Sequence, residues 1–234
     1  MLPKPYHSEH AVTIFCGDCR QIVPLLGRFD LLLTDPPYGI GLNTSRIRRT
    51  WNVKSSKWAA ARVTKDYGVH EWDSAPPPDD LINMVVAAAG RSIIWGGNYF
   101  ALPPSPFWLV WDKQTSGNFA DAELAWTNMV GAVKLKHYLW NGFKKAKPED
   151  RWHPTQKPLE VIQWALSLAG NIQTILDPFA GSGTTGVAAK NLGKTAVLIE
   201  REERYCEIAA KRLAQGVLNF DSLPQRNGSP SFVL

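Results

Sequence analysis

The chain has 234 residues, 44% of them apolar, which suits one domain with a substantial core and leaves no room for several. A formal charge of +5 is a mild basic excess that fits a polyanionic partner without requiring one. Three cysteines (Cys16, Cys19, Cys206) exclude a disulfide framework, no apolar run nears the ~20 residues that span a bilayer, and the polar, proline-bearing Met1 to His10 is no signal peptide, so the cytoplasm is the expected compartment.

In chain order, Val12 to Phe15 reads as a strand, Gln21 to Leu26 as a helical segment and Leu31 to Thr34 as a second, buried strand. Between the first two, Cys16-Gly17-Asp18-Cys19 has C-x-x-C spacing, but without a second pair or a histidine-rich partner it makes no metal or redox site. Asp35-Pro36-Pro37-Tyr38 ends the Leu31 strand, joining a carboxylate, two rigid rings and an aromatic face. Such a turn suits a planar amine: Asp35 accepts one N–H, the Pro36 carbonyl accepts the other, Pro37 fixes where that oxygen points, and Tyr38 offers a stacking face. The plainer alternative is a proline-terminated strand.

From Gly41 to Asp73 no apolar period appears. Arg46, Arg48, Arg49, Lys54, Lys57, Arg62 and Lys65 stand there against Asp66, Glu71 and Asp73, so a loop over 41–73 is expected to grip phosphates. A helix follows over Asp79 to Ala89, with Asp79 as N-cap after Pro76-Pro77-Pro78. Strands are expected at Ser92 to Trp95, Phe107 to Trp111 and Glu123 to Thr127. The absence of helices between Phe107 and Tyr138 predicts an antiparallel edge hairpin. Of the ten tryptophans, Trp95, Trp108, Trp111 and Trp126 fall in strand-like runs and are expected in the core, whereas Trp51, Trp58 and Trp72 lie in the polar loop. Lys144 and Lys145 belong to a second basic cluster in the short segment 141–152.

Helices over Leu159 to Ala169, Thr185 to Asn191 and Glu203 to Leu213, with strands at Ile172 to Leu176 and Thr195 to Ile199, complete an alternating α/β pattern. It implies a Rossmann-like, mostly parallel sheet with helices on both faces. Residues from Gln215 onward read as a flexible tail. Asp177-Pro178-Phe179-Ala180-Gly181-Ser182-Gly183-Thr184-Thr185-Gly186 follows one late strand and Glu200 ends the next. The glycines fit G-x-G-x-x-G, which taken alone admits a nicotinamide-dependent oxidoreductase. A carboxylate at Asp177, however, would repel a pyrophosphate at the helix N-terminus and favour a cationic ligand.

With His153-Pro154-Thr155-Gln156-Lys157-Pro158, these two turns resemble the amino-methylating DNA methyltransferases of the permuted, beta order, in which the catalytic motif precedes the cofactor motif. The resemblance spans roughly Val12 to Leu213 and implies one catalytic domain over residues 1–214, S-adenosylmethionine as methyl donor and double-stranded DNA as partner. It assigns Asp35, Pro36, Pro37 and Tyr38 to catalysis. To the cofactor it assigns Asp18 at the adenine amine, Asp177 at the amino-acid end, and Pro178, Phe179, Gly181, Gly183 and Thr184 along the turn. Glu200 falls to the ribose hydroxyls, and Thr155, Gln156 and Lys157 close over the methionine, with Lys157 on its carboxylate. Asp18 could equally cap the helix at Arg20. Asp at the first catalytic position accompanies adenine N6 methylation in that group, with cytosine N4 as the alternative. A non-catalytic DNA-binding module, and RNA or protein methylation, are weaker rivals. No metal or membrane is needed, and a homodimer is compatible with the resemblance.

Overall fold

The computed structural model describes residues 1–39, 75–114, 120–140, 146, 152 and 155–215. Among these residues, nine strands form one sheet: β1 (His7–Glu9), β2 (Val12–Cys16), β3 (Phe29–Thr34), β4 (Ala89–Trp95), β5 (Trp108–Asp112), β6 (Ala122–Thr127), β7 (Lys134–His137), β8 (Thr174–Asp177) and β9 (Thr195–Glu200). Their order across the sheet is β1-β2-β9-β8-β3-β4-β6-β5-β7. From β2 to β4 every pairing is parallel; β1 and β6 run against their neighbours.

Among the described residues, five α-helices cover the sheet: α1 (Cys19–Ile22, continued by a 3-10 turn over Val23–Leu25), α2 (Asp79–Ala87), α3 (Leu159–Leu168), α4 (Thr184–Asn191) and α5 (Glu203–Ala214). The period-2 alternation of the strands sends side chains into two cores. Leu31, Leu33, Ile93 and Trp95 meet Val161, Ala188 and Ala209 of α3, α4 and α5, while Leu32 and Ile94 meet Ile22, Leu81 and Val85 of α1 and α2. The expected α/β fold, a mostly parallel sheet with helices on both faces, is the one observed.

Details differ from the sequence reading. The antiparallel hairpin exists as β5–β6 but is not the edge, because β7 pairs in parallel outside β5. Both edge strands, HSE and KLKH, are polar, the first half-buried and the second largely exposed, so neither carries an apolar alternation, and charge at an edge discourages pairing with other chains. Asp79 does not cap α2. Pro78 holds the N-cap position in extended backbone with no side-chain cap bond, while Asp79 and Asp80 occupy the first turn, where a negative charge suits the helix dipole. Asp80 also pairs with Arg20 at 2.6 Å. The strand after α2 begins at Ala89, inside the predicted helix, because the alanine run gives no stop signal.

Trp95, Trp111 and Trp126 are buried and Trp108 is half-buried. Trp51, Trp58 and Trp72 lie outside the described residues, as do the basic stretch 41–73, Lys144 and Lys145, and residues 216–234. Cys16, Cys19 and Cys206 are free thiols. Among the described residues, no helix is long and apolar enough to cross a membrane.

Candidate active site

In this topology β8 and β3 are neighbours from which the chain winds in opposite directions: β8 leads through α4 to β9, and β3 through α2 to β4. A crevice at the carboxyl ends of strands at such a reversal is where open α/β sheets bind ligands. A cleft of about 330 Å³ opens there, lined by Asp18, the turn Asp35 to Tyr38, Trp95, the segment Thr155 to Lys157, the turn Asp177 to Ser182, Thr184 and Glu200. Except for Gly183, which sits beneath the turn, every described residue singled out for catalysis or cofactor binding reaches this one cleft.

The two carboxylate-bearing turns are tied together. Thr34, buried at the end of β3, donates from Oγ1 to Asp177 Oδ1 at 2.8 Å, and the Phe179 N–H donates to the same oxygen at 3.2 Å. Burial raises the Asp177 carboxyl to about 6, against the lowering effect of its hydrogen bonds from Thr185 and Thr34. Glu200, ending β9, accepts the Gly181 N–H at 2.7 Å and the Glu202 N–H at 2.8 Å, locking the glycine turn to the next strand. A carboxylate has about four acceptor positions, so Glu200 keeps capacity for a diol. Gly183 has φ +77, and a Cβ there would lie 2.7 Å from Ala209 Cβ on α5; only glycine fits.

Asp18 is the N-cap of α1, its Oδ1 accepting the Arg20 N–H at 2.8 Å while it lines the cleft, so the capping alternative holds. Phe179 packs against the core below the cleft. Gln156 is buried, its Oε1 accepting from Trp152 N–H at 2.8 Å and from Ser182 Oγ at 3.3 Å.

Tyr38 donates from Oη to Asp35 Oδ1 at 2.5 Å, and its ring stacks on Tyr99 with centroids 4.9 Å apart and planes inclined by 13°. Gly96, at φ +67, lets the Tyr38 ring lie against the backbone; a Cβ would come within 2.0 Å of Tyr38 Cε1. Lys157, expected at the carboxylate of a ligand, also has partners within the protein. It is buried, with Nζ 2.5 Å from Asp35 Oδ2, 2.9 Å from Glu123 Oε2 and 3.1 Å from Tyr38 Oη. Burial lowers its pKa, but Asp35 and Glu123 more than reverse this, and the ammonium is retained.

Glu123, Tyr99 and Gly96 escaped the sequence reading. The pair Gly96-Gly97 followed by Tyr99-Phe100 directly after a strand was a usable signal for a third turn on this rim. Glu123, inside the ordinary strand AELAWT, carried none.

The sheet and its cleft share the fold of solved DNA methyltransferases. The M1.HpyAVI–SAM complex superposes with a TM-score of 0.54 at 19% identity, covering 87% of this chain and all of that one. The cytosine-N4-specific PvuII DNA methyltransferase gives 0.54 at 13% identity, covering 89% and 88%. A family model described as DNA methylase, of the N6/N4 type, matches residues 101–211. The chain is 49% identical to the type II methyltransferase M2.DpnII of Streptococcus pneumoniae, over 91% of this chain and 93% of that protein. It is 47% identical to M2.LlaDCHI of Lactococcus lactis subsp. cremoris, over 92% and 94%. The chain belongs to the N6/N4 DNA methyltransferase family.

Proposed function

We propose that this protein transfers a methyl group from S-adenosylmethionine to the N6 amine of adenine at a specific site in double-stranded DNA. The observation that carries this reading is the junction of two acidic turns in one cleft, made by the Thr34–Asp177 hydrogen bond. The order of those turns along the chain, catalytic before cofactor, is that of the beta group, and Asp35 at its first catalytic position favours adenine. By likeness to the type II relatives, the modification belongs to a restriction–modification pair.

The residues present fit a cationic adenosyl ligand better than a dinucleotide: Asp177 and Glu200 flank the glycine turn, where a pyrophosphate would be repelled. When bound, S-adenosylmethionine supplies an electrophilic methyl on a sulfonium. Glu200 would accept from the ribose hydroxyls, and Asp177 would face the cationic end.

The target base must leave the duplex to reach the cleft, costing a few kcal/mol, of which stacking at Tyr38 and Tyr99 would return ~1–3 kcal/mol. Asp35 and the Pro36 carbonyl then take the two amine hydrogens and turn the nitrogen lone pair toward the methyl. The amine nitrogen would take the methyl group from the sulfonium as the S–C bond breaks, and the proton it gives up would pass to Asp35. Asp35 stabilises the positive charge that develops on nitrogen. Holding both partners in line supplies several kcal/mol. Phosphate contacts are assigned, on charge alone, to the stretch 41–73 and to Lys144 and Lys145.

Treating unmodified DNA with the protein and the methyl donor, then separating the nucleosides, tests the reading. N6-methyladenine is the expected product; N4-methylcytosine would move the assignment to the other base, and no methylated base would end it.

Cofactor affinity carries a pH signature. Asp177, raised by burial to about 6, is neutral below that pH and attracts a cation only above it. Calorimetric titration with S-adenosylmethionine should therefore show affinity falling up to tenfold per pH unit below about 6, and Asp177→Asn should be weaker and flat. The same carboxyl, raised above its unfolded value, costs stability once pH exceeds the folded value, with no penalty below the unfolded one. Asp177→Asn should thus stabilise the free protein at pH 7 to 8 by up to about 3 kcal/mol, read from chemical denaturation.

A further inference from the structure

We propose that Lys157 and Glu123 are positioning residues for methyl transfer: Lys157 grips the Asp35 carboxylate, and Glu123 holds Lys157 in place. The inference rests on the reading of Asp35 as the carboxylate that receives the target amine.

Lys157 is 6% exposed, and its Nζ has three oxygen partners, Asp35 Oδ2 at 2.5 Å, Glu123 Oε2 at 2.9 Å and Tyr38 Oη at 3.1 Å. Its N–H donors make hydrogen bonds to Asp35 Oδ2 and Tyr38 Oη, and Glu123 Oε2 adds an ion pair. Nζ also lies 5.5 Å from the Tyr38 ring centroid and 5.6 Å from that of Trp95, within cation–π reach. Burying an ammonium costs several kcal/mol unless it is surrounded in this way.

Glu123 reaches the site from β6, and Lys113, just beyond β5, pairs with its other oxygen. Burial pushes the Glu123 carboxyl up, but Lys157 and Lys113 pull it down to about 2, so it stays ionised. Alternating charges therefore run Lys113, Glu123, Lys157, Asp35 from the β5–β6 hairpin to the catalytic turn.

This chain fixes the plane of the Asp35 carboxyl. Tyr38 holds Oδ1 and Lys157 holds Oδ2, and each oxygen keeps a lone pair for an amine hydrogen. The ionisable groups facing Asp35 are Tyr38 from its own turn, Lys157 from the segment before α3, Glu123 from β6 and Asp177 from β8. Burial raises the Asp35 carboxyl, Lys157 lowers it and Glu123 raises it, so deleting the cation and deleting the anion must move its titration in opposite directions.

Single-turnover methyl transfer, at saturating donor and DNA and across pH, tests this in Glu123→Gln and Lys157→Met. Both should slow transfer roughly 10- to 100-fold, as a displaced reacting group does. Calorimetry with S-adenosylhomocysteine should give a Kd within about threefold of wild type. Relative to wild type, the acid limb of the rate should move to lower pH in Glu123→Gln and to higher pH in Lys157→Met; Asp177 is common to all three proteins and cancels. If Lys157→Met does not fold, the limb of Glu123→Gln alone decides. Wild-type rates, a slowed rate with an unmoved limb, or a large loss of donor affinity with a normal saturated rate would each overturn the proposal. Asp35→Asn separates the two levels: if it is inactive while these variants behave as wild type, only this inference fails, and if it is active the underlying reading fails.

Discussion

Asp35→Asn is expected to lose methyl transfer by at least about 10³-fold at saturating donor and DNA, while its affinity for S-adenosylhomocysteine stays within a few-fold of wild type. The size follows from what the substitution reverses. Asparagine turns one of the two acceptors at this position into a donor, which would face either the incoming amine or Lys157, whose Nζ lies 2.5 Å from Asp35 Oδ2. It also removes the negative charge that offsets positive charge growing on the nitrogen. The Asp35 carboxylate is held by Tyr38 and Lys157, whereas the hydrogen bond to Asp177 comes from its neighbour Thr34, so the donor side of the cleft should survive. Stopped-flow or quenched transfer assays beside calorimetry measure both halves. A variant that methylates at the wild-type rate would refute the catalytic role of Asp35.

Glu200→Ala is expected to fail in the complementary way. Its carboxylate holds the Gly181 and Glu202 N–H groups at 2.7 and 2.8 Å and is the acceptor assigned to the ribose. Hydrogen bonds to a charged group are each worth about 1.5–3 kcal/mol, so losing them should weaken donor binding on the order of 100-fold, with the saturated transfer rate within a few-fold of wild type. Thermal melts distinguish a loosened turn from global unfolding, since the two cores flanking the sheet do not depend on this side chain. Equal donor affinity in the variant would remove Glu200 from the binding site.

The contrast between these variants mirrors what the sequence made legible. Asp35 and Asp177 stand out because proline and glycine punctuate the chain beside them, and those residues mark where strands end and ligands approach. The strand–helix alternation from β8 to α5 was equally open to reading, since each apolar run is bounded by a turn signal. Glu123 was not: it lies 34 residues from Lys157 in an unremarkable strand, and only the antiparallel return of β6 beside β4 brings it to the site. Polar edge strands β1 and β7 were hidden for a related reason, having one face to water and no apolar period. Lys157 was legible as a site residue, but its protein partners Asp35 and Glu123 were not, because a motif tells which residue is present and not which anions it will meet once buried.

In the proposed reaction, a donor held at the glycine turn presents its sulfur to whatever Asp35 holds. A crystal structure of the protein with S-adenosylhomocysteine measures this directly. The ribose is expected on Glu200 and the sulfur within about 7 Å of the Asp35 carboxylate, the span of one methyl transfer plus one hydrogen bond. A ligand bound outside the cleft, or one whose sulfur faces away from the turn at Asp35, would contradict it.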